Sequence, residues 1–254
     1  MIEIWNYRHL VKKIALSELK LRYKNSVLGL LWSLLEPLLI FIVLYFVFSY
    51  LMKLNVEHYQ LFLFLGIICW DLLEKGTTMG LYSITAKPTL IKKVYFPREV
   101  LVVGMCSTAL LMVFFELAVF LLFMLVLGVI PPMTALIFPF VLLGEFIIVV
   151  GLSLALSALN VYYKDVQYIW AVLLRAGFFL TPVIYPVSIY PPQYAGLFLL
   201  NPMAQIIEAS RGTVIYGIMP NIVDILIIYI TALVALLAGY FIFMKLESRF
   251  AEEV

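Results

Sequence analysis

Apolar residues run along this chain in blocks too long for a soluble core. Six blocks reach the roughly 20 residues a helix needs to cross hydrocarbon. They are Val27–Leu51, Tyr59–Tyr82, Val100–Leu127, Met133–Val161, Val166–Tyr185 and Ile222–Met244. Helices are expected in all six, because a segment in lipid must satisfy its backbone polar groups internally. A barrel strand alternates at period two, and a run such as LLMVFFELAVFLLFMLVLG does not. The pattern predicts an all-α integral membrane protein with six transmembrane helices.

Two of the intervening stretches have a pattern of their own. In residues 5–24, Tyr7, Leu10, Val11, Ile14 and Leu21 fall near one helical stripe, with basic residues off it. This predicts an amphipathic interface helix lying on the membrane face. Residues 186–221 are too rich in proline and polar groups to cross, yet too apolar for a solvated loop. Their pieces Tyr194–Leu200 and Met203–Ile218 are shorter than a span. Irregular backbone at membrane depth survives only against protein or a wet cavity. A re-entrant hairpin of short pore helices lining such a cavity is expected. The chain then divides into an interface helix (1–26), a transmembrane domain (27–246) containing a polar loop at 83–99 and the hairpin at 186–221, and a tail (247–254).

Composition agrees. Hydrophobic residues make up 65% and charged residues 13%, against about 45–50% and about 25% in soluble domains. The net charge of +2 is small, and its distribution says more. Thirteen Lys and Arg fall in the N-terminal segment, the loop after span two, the loop after span four and the C-terminus, against Lys53 and Arg211 in the opposite gaps. Positive residues favour the cytoplasm, so both termini and the 83–99 loop are expected there, with the chain in the cytoplasmic membrane. No cleavable signal is read, and the first apolar run is expected to stay as an anchor. The basic residues flank spans and form no nucleic-acid groove. Cys69 and Cys106 lie in apolar runs and read as packing residues. His9 and His58 lie far apart, so no metal site is expected.

Ionisable residues within spans are costly and call for partners. Asp71 and Lys75 are four apart on span two and share a helix face. Glu116, Glu145 and Arg175 each lie near the centre of a span, which predicts a pair between Arg175 and Glu145 or Glu116. These charges staple helices or line a path. Pro37, after Glu36, is expected to kink span one. Gly151–Ala155 and Ser153–Ser157 permit close helix approach. Trp5, Trp32, Tyr50 and Tyr240 fit interfacial belts. Tyr185, Tyr190, Tyr194 and Tyr216 gather around the hairpin, where rings and hydroxyls suit a sugar. No phosphate loop of the form GxxxxGK[ST] occurs, so the chain is not expected to hydrolyse ATP. No catalytic constellation is visible, which disfavours a membrane glycosyltransferase. The absence of an inverted repeat argues against an ATP-independent transporter.

Five segments in order carry a family resemblance: LKLRYKNSVLGLLWSLLEP (Leu19–Pro37), KKVYFPREVL (Lys92–Leu101), LNVYYKDV (Leu159–Val166), FFLTPVIYP (Phe178–Pro186) and LNPMAQIIEASRG (Leu200–Gly212). On this topology the chain resembles the membrane subunit of ABC-2 type exporters, in particular those that export O-antigen, capsule and teichoic acid chains. It departs where Val102 and Val103 stand in place of a proline common in relatives, and where Lys164 replaces arginine. The resemblance implies a homodimer with two cytoplasmic ABC ATPase subunits, which use the ATP and Mg, while this chain binds no cofactor. It implies that the loop after span two meets the ATPase, with Lys87, Lys92, Lys93, Arg98 and Glu99 available for that contact and the leader helix beside it. It implies a lipid-linked polysaccharide as cargo. An exporter of drugs or small lipids is the alternative within the same architecture.

Overall fold

The helix Tyr59–Tyr82 is the most enclosed element among the described residues. Every side chain from Leu61 to Leu73 on it is buried, although the stretch contains Asp71. The computed structural model describes residues 6–22, 24, 26–53, 56–93, 96–189, 201–248 and 250. Among them all regular structure is helical: α1 (Arg8–Arg22), α2 (Trp32–Tyr45), α3 (Tyr59–Tyr82), α4 (Pro88–Lys93), α5 (Glu99–Val126), α6 (Phe138–Tyr162), α7 (Asp165–Leu180), α8 (Pro202–Arg211) and α9 (Ile222–Glu247), with short 3-10 and π turns. The chain is a multi-pass membrane protein. Four helical stretches are long and apolar enough to cross a bilayer: Trp32–Leu51, Glu99–Val126, Met133–Tyr162 and Ile222–Glu247. Helix α3 has 24 residues but carries Asp71, Glu74 and Lys75.

Span five is shorter than the sequence predicted. Helix α7 has 16 residues, about 24 Å at about 1.5 Å per residue, and stops at Leu180 rather than Tyr185. The cause is Pro182, which lacks an N–H and pushes Thr181 out of helical geometry; Thr181 is extended, with φ −96° and ψ 144°. Pro37, by contrast, lies inside a continuous α2, which passes into a π turn at Phe46–Leu51.

Small residues set the closest crossings. A Cβ on Gly239 of α9 would collide with the Gly151 carbonyl of α6, and one on Gly151 would lie 2.5 Å from the Ala235 backbone. Ser153 fits against Gly80 of α3 and donates to the Gly76 carbonyl (3.4 Å). The sequence signal at 151–157 is therefore a packing signal. Cys69 and Cys106 are buried free thiols, as expected of packing residues.

Helix α1 packs against the start of α5. Ile14 fills the space beside Gly104, and the Thr108 hydroxyl donates to the Ala15 carbonyl (3.4 Å). The buried residues are Ile14, Ala15 and Leu19. Leu21, expected on the apolar stripe, is exposed, because the contact with α5 drifts around α1 towards Ala15 and Leu19. The expected pore piece Met203–Ile218 becomes α8 plus a π turn at Gly212–Tyr216, closed by Gly217 in the left-handed region. Asn201 caps α8, accepting from the Met203 N–H (3.0 Å) while its amide donates to Thr181 (3.0 Å). The piece Tyr194–Leu200 lies outside the described residues.

Candidate functional site

The half of α3 nearer Tyr82 carries a polar seam. Lys75 Nζ sits 2.6 Å from Asp71 Oδ2 and 2.8 Å from Glu116 Oε1 of α5. The pair between Asp71 and Lys75 is the one their spacing predicts; Glu116 is the unforeseen third member. Its carboxylate is fully enclosed. One ammonium thus bridges two acidic side chains on neighbouring helices.

On either side of Glu74 and Thr78, which border both, lie two cavities. One, of about 160 Å³, is lined by Glu36 of α2, by Asp71, Glu74 and Lys75, and by Arg22 at the end of α1. The other, of about 180 Å³, is lined by Glu74 and Tyr82 of α3 and by Gln167, Trp170 and Arg175 of α7. Trp170 is fixed there by its Nε1, which donates to Thr77 (2.9 Å). The seam thus opens between α2 and α7, offering carboxylates, a hydroxyl, an amide and aromatic faces side by side. Such groups can accept and donate hydrogen bonds in place of water.

Arg175 does not pair with Glu145 or Glu116. Glu116 is taken by Lys75, and Glu145, wholly buried in α6, has no hydrogen-bond partner on either oxygen among the described residues. Helix α7 buries only Leu174. One residue further on, about 100° around a helix, Arg175 faces the cavity instead of the bundle.

At one end of the bundle the leader, the 83–99 loop and the C-terminal end of α9 meet. Lys87 pairs with Glu18 of α1. Arg98 donates to the Glu247 carbonyl and lies over the Phe250 ring, 5.7 Å from its centroid. The Tyr162 hydroxyl donates to the Leu246 carbonyl (2.8 Å), and Glu99 is buried. Of the five residues assigned to this loop contact, Lys87, Arg98 and Glu99 are therefore turned onto the chain itself. Lys92 is exposed on α4, and the side chain of Lys93 lies outside the described residues.

At the other end, two of the four tyrosines expected to line a sugar path are held by backbone. Tyr185 donates to the Phe179 carbonyl, and Tyr216 to the Glu57 carbonyl (3.0 Å). Tyr190 and Tyr194 lie outside the described residues. The dominant polar group at this end is Arg211, which sequence reasoning counted only as a loop charge. It is the largest fully buried side chain among the described residues. The available signal was its place at the end of the amphipathic run PMAQIIEASR, three residues after Glu208.

The family model for the ABC-2 type transporter matches residues 9–215, from the first turn of α1 to the turn that follows α8. This chain belongs to the ABC-2 type transporter family. Its relatives include two proteins named O-antigen export system permease protein RfbA. That of Klebsiella pneumoniae is 33% identical over 92% of this chain and 91% of its own length. That of Myxococcus xanthus is 30% identical over 99% and 98%. The polysialic acid transport protein KpsM of Escherichia coli is 25% identical over 94% and 93%. The ABC-2 match takes in the leader helix, the whole polar seam and Arg211.

Proposed function

We propose that this chain is the permease subunit of an ATP-driven exporter that moves a lipid-linked polysaccharide across the cytoplasmic membrane to the outside. The end-to-end match to relatives named as O-antigen export permeases carries the reading. The polar seam gives it a physical basis. Hydroxyls entering hydrocarbon lose their water at a cost of several kcal/mol each. Glu36, Glu74, Thr78 and Gln167 can accept or donate in water's place, while Trp170 and Tyr82 offer ring faces.

In this reading six helices cross the membrane, with α3 enclosed by the bundle and α7 on its outer face. The end bearing α1, α4 and the tail of α9 faces the cytoplasm, as the basic residues favour. Two copies meet so that the seam, open between α2 and α7 in one chain, is closed. Two cytoplasmic ATPase subunits dock on α4 and α1, with Lys92 exposed to meet them, and supply ATP hydrolysis. Helix α8 and the π turn after it enter from the outside without crossing.

The test is co-purification with the candidate ATPase, then hydrolysis assays in liposomes with a polyprenyl-diphosphate-linked neutral polysaccharide. Glycan-stimulated turnover is the expected result. Turnover indifferent to glycan and raised by amphiphilic drugs would overturn the reading in favour of small-molecule export.

A further inference from the structure

Arg211 binds three separate elements at once. Its Nε donates to the Phe62 carbonyl of α3 (3.1 Å). Nη1 donates to the Pro182 carbonyl (2.7 Å) and to Glu208 Oε1 (2.9 Å), and Nη2 to the Val183 carbonyl (2.7 Å). Four of the five guanidinium N–H groups are thereby placed, and the carbon of the fork lies 3.3 Å from the Phe62 ring centroid. The carbonyls of Pro182 and Val183 belong to the turn where Pro182 ends α7, so no helical N–H serves them. Gly66 completes the slot: a Cβ there would lie 2.5 Å from Nη2 and 2.8 Å from the Val183 oxygen. A lysine could make neither the fork nor the stack.

We infer that Arg211 is a positioning residue for export, locking α8 to α3 and to the turn after α7 so that the three move as one body through the transport cycle. This rests on the export reading above. The consequence is mechanical. The outer end of the conduit does not open by α8 swinging away from α3; the opening occurs elsewhere.

The structure supplies its own test. Cys69 Sγ of α3 lies 3.6 Å from Ser210 Oγ of α8, beside the clamp. Ser210→Cys places two thiols within reach of a disulfide across the joint that Arg211 is inferred to lock. The full complex with its ATPase is oxidised in proteoliposomes carrying a polyprenyl-diphosphate-linked neutral polysaccharide, with bond formation followed by loss of thiol labelling. The disulfide is expected to form, and oxidised Ser210→Cys is expected to export within about twofold of its reduced form. Arg211→Ala strands the Pro182 and Val183 carbonyls and is expected to lower export per inserted protein by about tenfold or more. Oxidation of the double variant with Ser210→Cys is expected to raise export above that of its reduced form, because the covalent tie replaces the arm of the clamp that joins α8 to α3. Arg211→Lys, judged the same way, covers the case in which Arg211→Ala does not insert. If oxidation abolishes export and reductant returns it, α8 must swing and the inference is wrong. Failure of the disulfide to form, or of oxidation to raise export in the double variant, also overturns it. Loss of export in the unmodified complex would instead count against the export reading.

Discussion

Replacing Lys75 by methionine keeps the length of the stem and removes the charge between Asp71 and Glu116. The ammonium lies 2.6 and 2.8 Å from the two carboxylates, whose side chains are 11% and 0% exposed. Removing one partner of a buried ion pair costs about 3–5 kcal/mol, since the remaining charge is left uncompensated. Asp71 borders a cavity of about 160 Å³ and can be rehydrated, whereas Glu116 cannot. The lower end, about 3 kcal/mol, is therefore expected. For a chain of this size about 1 kcal/mol moves Tm by about 2–4 °C, so Lys75→Met is expected to lose about 6–12 °C in thermal unfolding of the purified protein. Neutralising all three with Asp71→Asn, Lys75→Met and Glu116→Gln should recover stability to within about 1 kcal/mol of wild type. A Lys75→Met protein that melts within about 2 °C of wild type, or a triple variant no more stable than the single, would refute the reasoning.

Glu18→Lys and Lys87→Glu each break the tie between α1 and the 83–99 loop. Because the pair is partly exposed, the stability change should stay under about 1 kcal/mol, while glycan-stimulated ATP hydrolysis falls in both and returns in the double swap. Lys92→Glu, on the exposed face of α4, should uncouple hydrolysis from export and leave membrane insertion unchanged; undiminished export would count against its role at the ATPase. Gly239→Ala drives a Cβ into the Gly151 carbonyl and should cost about 1–3 kcal/mol or more through forced separation of α6 and α9, read as a lower yield of monodisperse protein.

Hydropathy made most of the bundle readable before any coordinates, because burying an apolar face and crossing a bilayer both require long apolar helices. The end of α7 was readable in principle, since Pro182 carries the stop; the apolar run beyond it hid the break. Residues four apart on one helix reported the contact of Asp71 with Lys75. Nothing local reports that Glu116, 41 positions later, completes the triad, or that Arg175 faces a cavity instead of Glu145. Those depend on how each helix is rotated about its axis, and helices apolar on nearly all sides carry little signal for rotation. Arg211 shows the same limit from the other direction. Charge counting treats a basic residue outside the spans as solvated, whereas this one is fully enclosed by carbonyls that a proline set free. Likewise nothing in the local sequence reports that Lys87 bonds Glu18 of α1 or that Arg98 bonds the Glu247 carbonyl at the end of α9.

The central claim is that this permease supplies the conduit and a separate ATPase supplies the power. The direct measurement is translocation of a polyprenyl-diphosphate-linked neutral polysaccharide in proteoliposomes, scored by glycan protected from external glycosidase, with and without the ATPase subunit and ATP. Transport is expected only when both are present. Glycan moved by this chain alone, with nucleotide withheld, would contradict the account.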